Sequence, residues 1–77
     1  MVLGKNLSEV WGKNLSEREK EVSGLVARGL TNEEIGKTLD ICKQTVKTHL
    51  RNIYAKSGIH DRANLAILVL NSKNLKF

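Results

Sequence analysis

Four cations, Lys43, Lys47, Arg51 and Lys56, fall between Ile41 and His60 with no Asp or Glu among them. Through the same stretch Val46, Leu50 and Ile53 recur at i, i+4 and i+7, which puts them on one side of a 3.6-residue helix. Gln44, Thr48, Arg51 and Ala55 then project away from that apolar stripe, and Lys47 flanks it. Ammonium and guanidinium groups only donate hydrogen bonds, so the partner that fits this face is an acceptor-rich polyanion. An ordinary solvated helix face would mix charges of both signs.

No catalytic constellation accompanies it. One Cys, two His and no clustered carboxylates assemble neither a nucleophile–base pair nor a metal site, because Cys42 and His49 supply only two ligands. The sequence therefore points to no enzyme, no catalytic residue, no cofactor and no metal. His49 lies to the side of the apolar stripe, and its expected role is a partly buried structural one or a phosphate-facing one.

The elements that must hold the basic face are legible from caps and periodicity. Ser16-Glu17-Arg18-Glu19 and Thr31-Asn32-Glu33-Glu34 both match a capping box. The first predicts a helix over 17–28 that buries Val22, Leu25 and Val26, with Leu15 either stapled onto residue 20 or packed beneath the first turn and Gly29 as the left-handed stop. The second predicts a helix over 32–39 that buries Ile35 and Leu39. Gly36 within so short a helix costs about 1 kcal/mol relative to Ala, and a close approach of crossing helices would explain it. Asp40-Ile41-Cys42 then forms a turn, with Cys42 a poor N-cap for the basic helix over 43–57. Gly58 ends that helix, and Asp61 caps a last one over 62–72. Residues 65–70 are all apolar and cover the whole circumference, so a self-association surface centred on Leu65, Leu68 and Val69 is expected, the alternative being that the N-terminal arm with Leu75 and Phe77 covers the excess.

Size and composition agree with one small all-α domain over 15–77, preceded by an arm or linker over 1–14. The arm carries a short repeat, Gly4–Glu9 recurring as Gly12–Glu17. Only three aromatics (Trp11, Tyr54, Phe77) and no proline occur in 77 residues, so the core must be mainly aliphatic. Residues 1–40 hold six Lys/Arg against seven Asp/Glu, whereas 41–77 hold seven against one. A basic half of this kind fits nucleic acid or an anionic membrane. No apolar run approaches the roughly 18 residues of a membrane span, and the N-terminus lacks the apolar region of a signal peptide. A lone Cys42 excludes an internal disulfide and fits a reducing interior. The expected location is the cytoplasm.

Four helices with a tight turn between the second and the basic third make a helix-turn-helix domain. Leu15-Ser16-Glu17-Arg18-Glu19, Gly29-Leu30-Thr31-Asn32-Glu33-Glu34-Ile35-Gly36 and Thr45-Val46-Lys47-Thr48-His49-Leu50 resemble the hallmarks of the LuxR/FixJ/GerE-type DNA-binding domain. The resemblance covers about residues 15–77. It implies a four-helix LuxR-type fold and a bacterial transcriptional regulator of the kind found in NarL-type response regulators and quorum-sensing receptors. It further implies a homodimer on double-stranded DNA, with the third helix in the major groove, the fourth pairing protomers, and RNA polymerase as a possible further partner. On this resemblance Lys47, Thr48 and Arg51 match base-facing positions, and Lys43 and Thr45 match positions near phosphates. Gln44, beside the amides of the first turn, is suited to phosphate oxygens as well. Cys42 stands where the family usually has Ser, Lys43 where Glu is frequent, and Ser57 where Leu is common. These 77 residues leave no space for a receiver or ligand-binding domain, so the expectation is either a GerE-like whole protein or a fragment of a larger regulator.

Two other readings compete. A sigma-factor promoter-recognition domain shares the capped start and the helix-turn-helix, but the long apolar helix after Asp61 argues against it. A helical protein-interaction module would dock through 65–70 and keep the basic helix for solubility. The salt dependence of duplex affinity separates it from a DNA-binding domain.

Overall fold

In the computed structural model of the chain, which describes residues 14–74, both capping boxes close in both directions. The Glu19 amide donates to Ser16 Oγ at 3.1 Å and the Ser16 amide donates to Glu19 Oε1 at 2.9 Å. The Glu34 amide donates to Thr31 Oγ1 at 3.1 Å and the Thr31 amide to Glu34 Oε1 at 2.8 Å. These caps start helices α1 (Glu17–Ala27) and α2 (Asn32–Leu39), which are followed by α3 (Lys43–Ser57) and α4 (Arg62–Asn74). The fold is all-α, and α4 runs two residues past its expected end. Residues 1–13 of the expected arm, with the first copy of the repeat and Trp11, and also Leu75 and Phe77, lie outside the described residues.

Each helix stops for a local reason. Gly29 takes φ +91°, which lets the Leu30 amide reach back to Leu25 O at 3.2 Å and the Gly29 amide to Val26 O at 2.9 Å. Those paired bonds satisfy carbonyls at the end of α1 that would otherwise be orphaned. Asp40 ends α2 at φ 59° and ψ 46°, a left-handed conformation that Asp tolerates better than most residues. At the start of α4, Asp61 Oδ1 accepts from the Asn64 amide at 2.8 Å, as its capping role requires.

Gly36 has a different reason from the expected one. A Cβ built there would lie 2.6 Å from Ile41 O, so it is the backbone of the turn that occupies the space, not a crossing helix. The cost of about 1 kcal/mol for Gly in a helix is smaller than the typical 1–3 kcal/mol of an overpacked contact. Gly36 thus allows the turn to fold back onto α2 and fixes how closely α3 follows it.

The core is aliphatic: Leu15, Val22, Val26, Ile35, Val46, Leu50, Ile53, Leu65 and Val69 are buried and form one cluster. Full burial of each such side chain is worth about 1.5–3 kcal/mol. Leu25 and Leu39, expected inside, are half-buried at its edge. Helix α1 packs most extensively on α4 and then on α3, while α2 packs on α3.

The expectation for α4 needs correction. Leu65 is 0% and Val69 4% exposed, because these i, i+4 neighbours face α1 in the same protomer. Neither is left to meet a second copy. Leu68 is half-buried, and the apolar side chains that face out are Ile67 and Leu70, 54% and 47% exposed.

Two long-range polar ties lock the helices. Lys56 Nζ donates to Glu19 Oε1 at 2.9 Å, joining the end of α3 to the start of α1. Arg62 Nη2 donates to Leu30 O and Nη1 to Asn32 Oδ1, each at 2.8 Å, joining the start of α4 to the α1–α2 connection.

Candidate nucleic-acid interface

Helix α3 separates its two faces as the spacing predicts. Val46 and Ile53 are 0% exposed and Leu50 5%, all turned into the core. Lys43, Gln44, Lys47, Thr48 and Arg51 are exposed on the other side, and Thr45 and His49 are half-buried at the margin. Among the described residues, five of the six expected binding residues are left exposed and Thr45 is half-covered.

Charge sharpens the face. Among the described residues the ion pairs are Arg18–Glu21, Lys20–Glu17 and Lys56–Glu19. Lys43, Lys47 and Arg51 take part in none of them, so three exposed cations have no acidic neighbour in pairing distance among the described residues. Lys56, counted in the sequence with the basic stretch, is instead spent on α1. Its ammonium, together with the Ser16 amide, holds the Glu19 carboxyl below its ordinary range against the opposing effect of burial.

The start of α3 breaks the usual rules of helix ends. Its first turn holds Lys43 and no acid, although the N-terminal dipole favours anions. Cys42 makes no side-chain cap, a deficit of about 1 kcal/mol relative to Ser. Its exposed thiol lies 3.1 Å from Thr45 Oγ1. The Thr45 hydroxyl and the amides of the first turn draw the thiol's pKa below its ordinary value. Both oddities leave the helix start rich in donors and poor in internal acceptors, which is what a phosphate oxygen needs.

Thr48 Oγ1 donates to Gln44 O at 3.2 Å. Its hydroxyl proton is committed to the helix, and what it can offer a ligand is its methyl group and its oxygen lone pairs. Lys47 and Arg51 offer donors alone. A base edge with guanine acceptors or a thymine methyl is matched by such a set.

Sequence reasoning missed three residues that hold this face in place. Lys56 and Arg62 find partners 37 and 30 residues away in the chain, beyond any local signal. Asp40 carried a usable one, since Asp is among the few non-glycine residues that adopt positive φ.

The description "Bacterial regulatory proteins, luxR family" matches residues 13–69. The chain is 47% identical over 51 residues to a monoamine regulon transcriptional regulator of Klebsiella aerogenes, covering 66% of this chain and 22% of that protein. It is 46% identical over 55 residues to the transcriptional regulatory protein LiaR of Bacillus subtilis, covering 71% and 26%. It is 40% identical over 57 residues to the HTH-type transcriptional regulator MalT of Vibrio campbellii, covering 74% and 6%. The matched segment thus spans about a quarter or less of these relatives. No solved structure matches the chain at significant similarity.

Proposed function

Since the chain belongs to the luxR family of bacterial regulatory proteins, we propose that it regulates transcription by binding a specific sequence of double-stranded DNA. In this reading α3 enters the major groove, with Lys47, Thr48 and Arg51 at base edges. Lys43, Gln44 and Thr45 meet phosphate oxygens at the helix start. The observation that carries the reading is the exposed trio Lys43, Lys47 and Arg51, each outside every ion pair among the described residues. A surface needed only for solubility has no reason to leave one sign unbalanced on one helix face.

Two copies bind together through α4. After Leu65 and Val69 are assigned to the protomer's core, the pairing surface is Ile67 and Leu70, with Leu68 at its edge. Exposed large apolar side chains on one helix favour a second copy of the same helix. Half-sites then recur about 10–10.5 bp apart, on one side of the duplex. The regulator works in the cytoplasm, with RNA polymerase as its further partner. In keeping with this, no described helix is long and apolar enough to cross a membrane.

The test is duplex affinity at several salt concentrations, after selection of bound sequences from a random duplex pool. The reading expects an enriched sequence and a steep fall of affinity with salt, about 0.9 in log–log slope per phosphate neutralised. A protein-interaction module docking through α4 would select no sequence and show no such slope.

A further inference from the structure

Arg62 sits where a cation is disfavoured. It is the first residue of α4, whose first turn contains no acid, and the positive end of the helix dipole opposes its charge. Its guanidinium is instead used at long range, donating to Leu30 O and Asn32 Oδ1 at 2.8 Å each. Leu30 and Asn32 flank Thr31, the N-cap of α2, so the two bonds grip the entry of α2 from both sides. The chemistry of this grip settles the orientation of Asn32. A guanidinium has donors only, so the amide oxygen of Asn32 must face it, and the NH2 group must face away. That NH2 has no hydrogen-bond partner among the described residues. Asn32 and Arg62 line one surface groove together with Lys43, the first residue of α3.

We propose that Arg62 is a positioning residue for DNA binding: by holding the oxygen of Asn32 it presents the Asn32 NH2 group, beside Lys43, to a phosphate oxygen of the duplex. The inference rests on the DNA-binding reading and adds to it a neutral donor on α2 and the residue that aims it. Arg62 uses two of its five N–H donors within the protein, and in this arrangement the Asn32 NH2 group meets the phosphate, not Arg62 itself. It therefore contributes to affinity without contributing to counterion release.

The salt dependence and a double-mutant cycle test this. The whole chain and its Arg62→Ala, Asn32→Ala, Arg62→Ala/Asn32→Ala and Lys43→Ala variants are titrated on the selected duplex at several salt concentrations. Thermal unfolding fixes a temperature at which each variant is fully folded. Arg62→Ala and Asn32→Ala are each expected to weaken binding about tenfold, the scale of one hydrogen bond to a charged group. Their log–log salt slopes stay unchanged, whereas Lys43→Ala loses about 0.9 of slope. The double variant is expected to bind no more weakly than Arg62→Ala alone, because the two residues act as one unit. Full affinity in folded Arg62→Ala would overturn the proposal by making the residue purely structural. So would additive losses in the double variant, or a slope loss of about 0.9 in Arg62→Ala, which would mark a direct phosphate contact. Failure of the unsubstituted chain to bind any duplex would overturn the DNA-binding reading and the proposal with it. The other outcomes would overturn the proposal alone.

Discussion

Ser23 is fully buried in α1, and its hydroxyl has no hydrogen-bond partner among the described residues. Desolvating a hydroxyl without a partner costs about 1–3 kcal/mol, and Ala is the better helix former. Ser23→Ala is expected to raise stability by about 1 kcal/mol, read as a higher unfolding midpoint with an unchanged denaturant slope. Cys42 offers a second single-site test. Replacing it by Ser supplies the missing cap of α3, so Cys42→Ser should stabilise the fold by about 0.5–1.5 kcal/mol in the same measurement. A neutral result would mean that Thr45 or water already satisfies the first-turn amides. Glu19 adds a pH dependence. Its folded pKa lies below the ordinary 4.5, so the unfolded chain takes up its proton first as pH falls. The stability this carboxylate contributes is complete above that range and is lost as pH falls from about 4.5 through its folded value. With Lys56 partly exposed, the pair is worth about 1 kcal/mol, between the surface and buried cases. Lys56→Met should therefore lower the unfolding midpoint at pH 7, and the difference from the unsubstituted chain should shrink on acidification below pH 4.5.

At the scale of the element, what was legible in the sequence was what neighbouring residues decide. Ser16 with Glu19 and Thr31 with Glu34 are three residues apart, and both capping boxes close as their spacing requires. The stripe Val46, Leu50, Ile53 set the phase of α3, because its other positions are polar and leave only one way to turn the helix. Helix α4 gave no such phase: six consecutive apolar residues match every rotation equally. Packing on α1 chose Leu65 and Val69 for the core and left Ile67 and Leu70 outside. Gly36 was recognisable as a residue with a constraint, but that the constraint is Ile41 O emerges only once the turn is built. The same division holds at the candidate interface. The outward cations followed from periodicity, while the roles of Lys56 and Arg62 depend on contacts between distant segments. The phase of α4 gives its own prediction. Ile67→Asp places a charge on the exposed apolar face without entering the core, so it should shift a dimer towards monomer in sedimentation analysis with little change in helical content. An unchanged dimer would remove α4 from the pairing surface.

For the molecule as a whole, the fold separates functions by sides of the helices. Helices α1 and α4, with Leu15, close the core behind α3, and the turn from Asp40 to Cys42 sets the approach of α3 to α2. Glu19 with Lys56 and Arg62 with Leu30 and Asn32 tie both ends of this scaffold. What is left unbalanced is the outer side of α3, where the cations of the basic half stand exposed. This is the side that would read a duplex groove. The most direct test is the affinity of the chain and of Arg51→Ala for the selected duplex and for a random duplex of equal length. If Arg51 reads a base edge, Arg51→Ala weakens binding to the selected duplex by roughly 1–3 kcal/mol and relaxes preference at one base position, with little change on the random duplex. Equal losses on the two duplexes, or no loss on either, would contradict that role.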